Sequence, residues 1–219
     1  MVHFGVKLID RGKGFRLTKE NFALVDIKPS LPFFQSLAEK NAYTVGSEFS
    51  YREEWCYEYR ELCLRNYDLN MKFFSLLDSN KFNIVLESFL GKHEGFEVVL
   101  DLAQYAEVEG YYIMVLDEYK QAYIGKTKNI KKRIMQHWSE TKSFDRLLFP
   151  MYAYDTSCFS IDFFRALDTT RIYAWKQRIS NGIEEKLIQD FPAAYCSNRI
   201  GGDITGLIEA IATMNKRQL

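Results

Sequence analysis

Apolar and polar positions alternate from Val2 to Val25 in a way that predicts short strands, with Gly12-Lys13-Gly14 as a turn between them. From Tyr51 to Leu77 the chain has no Pro or Gly, and Trp55, Tyr59 and Leu62 recur on one face, so a long helix is expected. Phe82 to Leu102 reads as further helix broken near Gly91. Tyr111 to Leu116 is a β-favouring apolar run, Asp117-Glu118-Tyr119-Lys120 is polar enough to turn, and Gln121 to Ile124 returns as a second strand. An even-numbered loop puts Met114 opposite Tyr123, which makes Tyr112 a diagonal neighbour of Tyr123 on the same face. Gly125 then allows a tight turn into a helix. Asn129 is its N-cap, and Ile130, Ile134 and Trp138 form a buried stripe at i, i+4 and i+8. Cys158 to Phe164 has the character of a third strand, Arg165 to Lys176 of a partly helical segment turned at Asp168-Thr169-Thr170, and Ile183 to Ile188 of a helix. The pattern predicts an α+β chain with a mostly helical α+β domain over 1–106 and a second domain over 107–219, divided near Ala106-Glu107-Val108-Glu109.

Composition narrows the class. At 47% hydrophobic, the 219 residues suffice for a packed core, and no apolar run is long enough for a bilayer. Met1-Val2-His3-Phe4 leads straight into mixed charge, so no signal peptide is expected. Cysteines 56, 63, 158 and 196 form no close C-x-x-C pair, which favours reduced thiols over a zinc site. A cytoplasmic protein is the expectation. Zero net charge argues against a uniformly polyanion-binding surface. The charge is uneven, however: residues 119–146 carry eight Lys or Arg (120, 126, 128, 131, 132, 133, 142, 146) against two acids (140, 145), a balance of +6. Residues 1–104 hold 13 basic and 15 acidic side chains, a balance of −2. Lys126, Lys128, Lys131 and Lys132 are therefore the candidate contacts to a phosphate backbone.

Several side chains sit where chemistry is expected. Tyr112 and Tyr123 share a sheet face. Arg133 and His137, at helical spacing, share one side of their helix just off the apolar stripe and are placed to reach the phenols. A guanidinium is permanently charged and grips a phosphate through two parallel hydrogen bonds. Later in the chain, Leu187, Ile188 and Phe191 define an apolar arc whose middle contains Glu184, whereas Glu185 projects toward solvent. A carboxylate within an apolar face is costly to bury unless paired or bound to a cation. The partner of Glu184 is then a hard divalent ion such as Mg²⁺, or Arg133 or a lysine. Ser197-Asn198 also suits a turn before Gly201-Gly202.

Gly110-Tyr111-Tyr112, Tyr123-Ile124-Gly125, Arg133 ten residues after Tyr123, His137 four later, Glu184 in E-x-x-L-I, and Asn198 together resemble a GIY-YIG nuclease domain. Tyr111 stands where the family usually has Ile. The resemblance spans about 110–202, a little under half the chain. It implies a small antiparallel sheet of three strands flanked by helices, and metal-dependent hydrolysis of DNA phosphodiester bonds with one Mg²⁺ or Mn²⁺ held by Glu184. In the roles it implies, Tyr112 or Tyr123 helps activate the attacking water, aided by Lys126 or the metal. Arg133 stabilises charge on the phosphate, His137 assists proton transfer and Asn198 supports the site. The 46 residues between His137 and Glu184 exceed what compact members use. Phe144 to Asp155 within them is expected to be a loop packed over the sheet or lining the substrate channel. Residues 1–106 are the natural place for an accessory module that recognises DNA or a protein partner. The rival readings are a non-catalytic nucleic-acid-binding protein with a degenerate nuclease fold, and an interaction protein acting through its N-terminal module.

Overall fold

A computed structural model describes residues 1–10, 12, 14–23, 44–45, 50–139, 142, 144–148 and 154–198. The chain opens with a hairpin of β1 (Val2–His3) and β2 (Val6–Lys7) and a short helix α1 (Lys19–Phe22). Gly12 and Gly14 have left-handed backbones (φ +82° and +70°), as the predicted turn requires. Strands β3 (Thr44–Val45) and β4 (Ser50–Tyr51) pair before the long helix α2 (Glu53–Leu76). Helix α3 (Ser79–Lys92) is capped by the Asp78 carboxylate, which accepts from Lys81 N. It ends one residue past Gly91, so the helix expected to resume toward Leu102 does not form. That stretch instead gives β5 (Glu97–Val98) and a 3₁₀ turn, Leu102–Tyr105.

The central sheet has the order β5-β8-β6-β7, all antiparallel, built from β6 (Gly110–Leu116), β7 (Gln121–Thr127) and β8 (Arg171–Lys176) with β5 at one edge. It is four-stranded where three strands were expected, because a two-residue strand from the first hundred residues adds to β8. The third long strand is also displaced. Cys158 to Phe164 is buried but irregular: Ser160 Oγ accepts from Asp162 N and turns the backbone into a 3₁₀ helix, Ile161–Phe163. A local side-chain cap here outweighs the β preference of the flanking residues. The segment Arg165–Lys176, expected to be helical in part, has a 3₁₀ turn at Ala166–Asp168 and is then the strand Arg171–Lys176. Its Ile172 and Ala174 face one side, Tyr173 and Trp175 the other.

All seven residues of β6 are buried, because both faces of the sheet are covered. Tyr112, Met114 and Leu116 join one apolar cluster with Ile130, Ile134 and Trp138 of α4 (Ile130–Ser139), Tyr59, Cys63 and Phe74 of α2, and Val6, Leu17 and Phe22. Tyr111, Ile113 and Val115 join a second with Phe82, Leu86 and Phe89 of α3 and Leu187 of α5 (Ile183–Asp190). Residues on both sides of the expected 106/107 boundary thus contribute to the same cores. Positions 24–25, 149–153 and 201–202 of the predicted strands, loop and turn lie outside the described residues. Among the described residues no helix is long and apolar enough to cross a membrane.

Candidate active site

Strands β6 and β7 are joined by Asp117–Lys120, in which Lys120 takes the left-handed backbone (φ 50°) that closes the loop. The even loop sets Met114 opposite Tyr123 and Tyr112 opposite Gly125, so both phenols emerge on one face with ring centroids 6.1 Å apart. Gly125 does not turn the chain into the helix; it lies within β7 and makes room. A Cβ on Gly125 would stand 2.6 Å from the Tyr112 ring. Gly125→Ala is therefore expected to destabilise the fold by about 1–3 kcal/mol, as overpacking does. Chemical denaturation checks this; an unchanged midpoint would mean that Tyr112 does not occupy this place.

The helix that follows is fixed by the Asn129 Oδ1 cap on Lys132 N and by the buried Ile130, Ile134 and Trp138. With that stripe against the sheet, His137 is fully buried and its Nε2 lies 2.7 Å from Tyr112 Oη. The His137 ring also packs edge-on against Tyr123, centroids 5.1 Å apart. Arg133, one turn earlier, is half-buried and sits against both phenols, favouring their ionised forms. Burial opposes the guanidinium charge, but the two phenols hold its pKa above the ordinary Arg value. Burial pushes the Tyr112 hydroxyl well up, and that of Tyr123 up to about 12, so both keep their protons at neutral pH.

Glu184 and Asn198 reach the site along the outer edge of β7. Asn198 accepts from Ile124 N at 3.0 Å and donates to Ile124 O at 2.8 Å, clamping the strand between Tyr123 and Gly125. Glu184 Oε1 accepts the next outward amide, Lys126 N, at 3.1 Å. Its other oxygen lies 3.3 Å from Lys126 Nζ. Burial raises the Glu184 carboxyl despite the lysine, and the Glu184 charge reaches both phenols. Of the partners weighed for this carboxylate, a lysine is thus in place. Glu185 does not project into solvent as expected. Both of its oxygens are buried without a hydrogen-bond partner, one of them 3.9 Å from Lys126 Nζ. The short α5 starts just after Gly182 and packs against the edge strand β7, so the residue beside the apolar arc is covered too.

Comparison with models of protein families, with curated proteins and with solved structures finds no match to this chain. The site therefore stands on its own geometry. Among the described residues no group of three or more His, Cys, Asp or Glu side chains is placed to hold a metal ion. Glu184 and Glu185 do fit a hard cation that keeps most of its waters, which needs only one or two carboxylates. The buried Glu185 oxygens without a hydrogen bond, and the Lys126 ammonium drawn to both carboxylates, mark this edge of the sheet as a place of concentrated negative charge.

The lysines divide. Lys126 stands on the opposite face of β7 from Tyr123 and is engaged by the carboxylates. Lys128 and Lys132 are exposed, and Lys131 is half-buried. Lys131 and Lys132 line a cleft of about 630 Å³ with Lys7, Met135 and Trp138, on another side of α4 from Arg133. One residue central to the geometry was missed by sequence reasoning. Asp162 is 6% exposed and its Oδ1 lies 2.6 Å from His137 Nδ1, while Lys142 Nζ donates to Oδ2 at 2.7 Å. Burial alone would raise this carboxyl, but the His137 and Lys142 contacts hold it well below the usual carboxylate range. The first half of the chain braces this arm: Asn66 and Asn70 of α2 donate to Ser157 O, and Asn70 Oδ1 accepts from Phe159 N.

Proposed function

We propose that this chain is a divalent-metal-dependent endonuclease of the GIY-YIG type that hydrolyses DNA phosphodiester bonds. The observation that carries the reading is the convergence of Tyr112, Tyr123, Arg133 and His137 on one sheet face, with Glu184 on the adjoining edge. These are the side chains at the positions of the family pattern, and they come from four separate elements. Arg133 receives the scissile phosphate and offsets the charge that develops on it. Tyr112, with His137 at its hydroxyl, holds the proton that water activation displaces. Tyr123 completes the polar wall, and Asn198 keeps β7, and so Tyr123, in register. Glu184, with Glu185 beside it, would hold the Mg²⁺ or Mn²⁺, in place of the Lys126 ammonium that now lies at the pair. When bound, the ion supplies positive charge to the phosphate oxygens. Lys128, Lys131 and Lys132 contact the DNA backbone away from the chemistry. The reading includes a cytoplasmic setting, where thiols without a close pair stay reduced.

One observation favours a second reading. Because Lys126 already satisfies Glu184, a non-catalytic DNA-binding protein could keep this arrangement without any cation. Both readings meet in one experiment: supercoiled, linear and branched DNA incubated with the protein in Mg²⁺, Mn²⁺ or chelator. Strand scission that requires the metal is the expected result. Binding without cleavage of any form under either metal replaces the nuclease by the binding protein.

A further inference from the structure

Among the described residues, the buried acidic side chains away from the carboxylate pair are Asp145, Asp162 and Asp168, and of these Asp162 touches the candidate machinery. It reaches the site from an irregular segment whose neighbours Ile161, Phe163 and Phe164 anchor it in the core and pack it against α4. The Ser160 cap and Arg165 Nη1, which donates to Asp162 O at 3.3 Å, hold its backbone from both sides. Its two oxygens have different duties. Oδ1 faces His137 Nδ1, whereas Oδ2 takes the Lys142 ammonium and, at 3.4 Å, Ser160 Oγ.

We propose that Asp162 is a positioning residue: it fixes His137 with the ring hydrogen on Nδ1, so that Nε2 accepts the proton of Tyr112. An ionised carboxylate can only accept, so Nδ1 must carry a hydrogen. In the neutral ring Nε2 is then a lone-pair acceptor, 2.7 Å from the Tyr112 hydroxyl. The Tyr112 hydroxyl thus has the imidazole Nε2 as its acceptor, while Tyr123 packs edge-on against the same ring. The consequence for turnover rests on the nuclease reading. There, the Tyr112 proton passes to Nε2, giving a phenolate and an imidazolium whose charge Asp162 balances. The phenolate takes one proton from a water whose oxygen bonds to phosphorus, while the bond from phosphorus to the leaving sugar oxygen breaks. The leaving oxygen takes a proton from solvent, and the imidazolium returns one to it.

Asp162→Asn tests the idea, because Lys142 dictates which way the amide turns. The ammonium requires the amide oxygen, so the NH₂ group faces His137 Nδ1, strips it of its hydrogen and moves that hydrogen to Nε2. Histidine ring ¹⁵N shifts read the tautomer directly; the chain has three histidines, and His137→Ala identifies the signals. Expected are Nδ1–H in the wild type, Nε2–H in Asp162→Asn, and return of Nδ1–H when Lys142→Met is added. Single-turnover DNA cleavage should fall on the order of 10²–10³-fold in Asp162→Asn. In a His137→Ala background the same substitution should change the rate by no more than about twofold, since its effect passes through the ring. A wild-type ring with hydrogen on Nε2, alone or with Nδ1, overturns the proposal. So does an Asp162→Asn protein that keeps Nδ1–H, or that cuts at the wild-type rate. If Asp162→Asn does not fold, the wild-type ring state decides. A wild type that cuts no DNA removes the nuclease reading, and the tautomers still decide what Asp162 does to His137.

Discussion

Arg133→Ala is expected to lower single-turnover DNA cleavage on the order of 10²–10³-fold, comparable to the loss of one preorganised donor at a developing charge. DNA affinity should fall far less. The reason lies in where α4 puts its cations. Arg133 is half-buried against the Tyr112 and Tyr123 hydroxyls, which hold its charge in place at the point where a phosphate has to sit to meet them. A guanidinium so placed costs no reorganisation during the reaction, and little of its stabilisation is spent on the ground state. Lys132 is exposed, and Lys131 lines the cleft with Lys7 on another side of the helix. Replacing both with Gln should weaken binding and flatten its salt dependence by about one unit of slope per lysine, while cleavage at saturating DNA is spared. Equilibrium binding at several salt concentrations, beside single-turnover rates, separates the two outcomes. If Arg133→Ala loses affinity and turnover in step, Arg133 is one more backbone contact and the assignment fails.

What could be read from the sequence was what depends on spacing within one or two elements. The β6–β7 register follows from a four-residue loop, and the α4 stripe from three apolar residues at i, i+4 and i+8, so Tyr112, Tyr123, Arg133 and His137 come out together. The errors have a common cause in contacts distant along the chain. β5 owes its existence to β8, some 75 residues later. Glu185 is covered because the short α5 lies close on the sheet edge, which helical phase alone does not reveal. Cys158 to Phe164 is apolar because it is core, and burial mimicked a strand. Asp162 could have been found. It is a carboxylate set between Ile161 and Phe163, and the argument applied to Glu184, that such a group needs a partner, holds equally for it. No comparable signal marks Asn66 and Asn70, whose amides in an otherwise ordinary helix brace the segment carrying Asp162.

The corrected position of Glu185 sharpens the contrast between the two glutamates. Glu184→Gln should abolish metal-dependent cleavage at every Mg²⁺ concentration, yet leave the fold intact, because an amide oxygen can still accept from Lys126 N and Glu185 remains beside the Lys126 ammonium. What is lost is the charge of the carboxylate whose field reaches both phenols. Glu185→Gln should behave differently from either a silent surface change or a second loss of activity. Its oxygens are buried without a hydrogen bond, and its charge raises the Glu184 carboxyl, so it belongs to the electrostatics of the proposed cation site without accepting from a sheet-edge amide. Removing it should raise the Mg²⁺ concentration for half-maximal cleavage by about 10-fold, the usual effect of losing a supporting group, with the rate at saturating metal nearly kept. Cleavage measured across a Mg²⁺ titration, with thermal melts of each variant to confirm folding, reads both. Equal losses from the two variants at saturating Mg²⁺ would mean that the carboxylates act as one and that Glu184 has no special place. Metal-dependent cleavage surviving in Glu184→Gln would remove Glu184 from the site altogether.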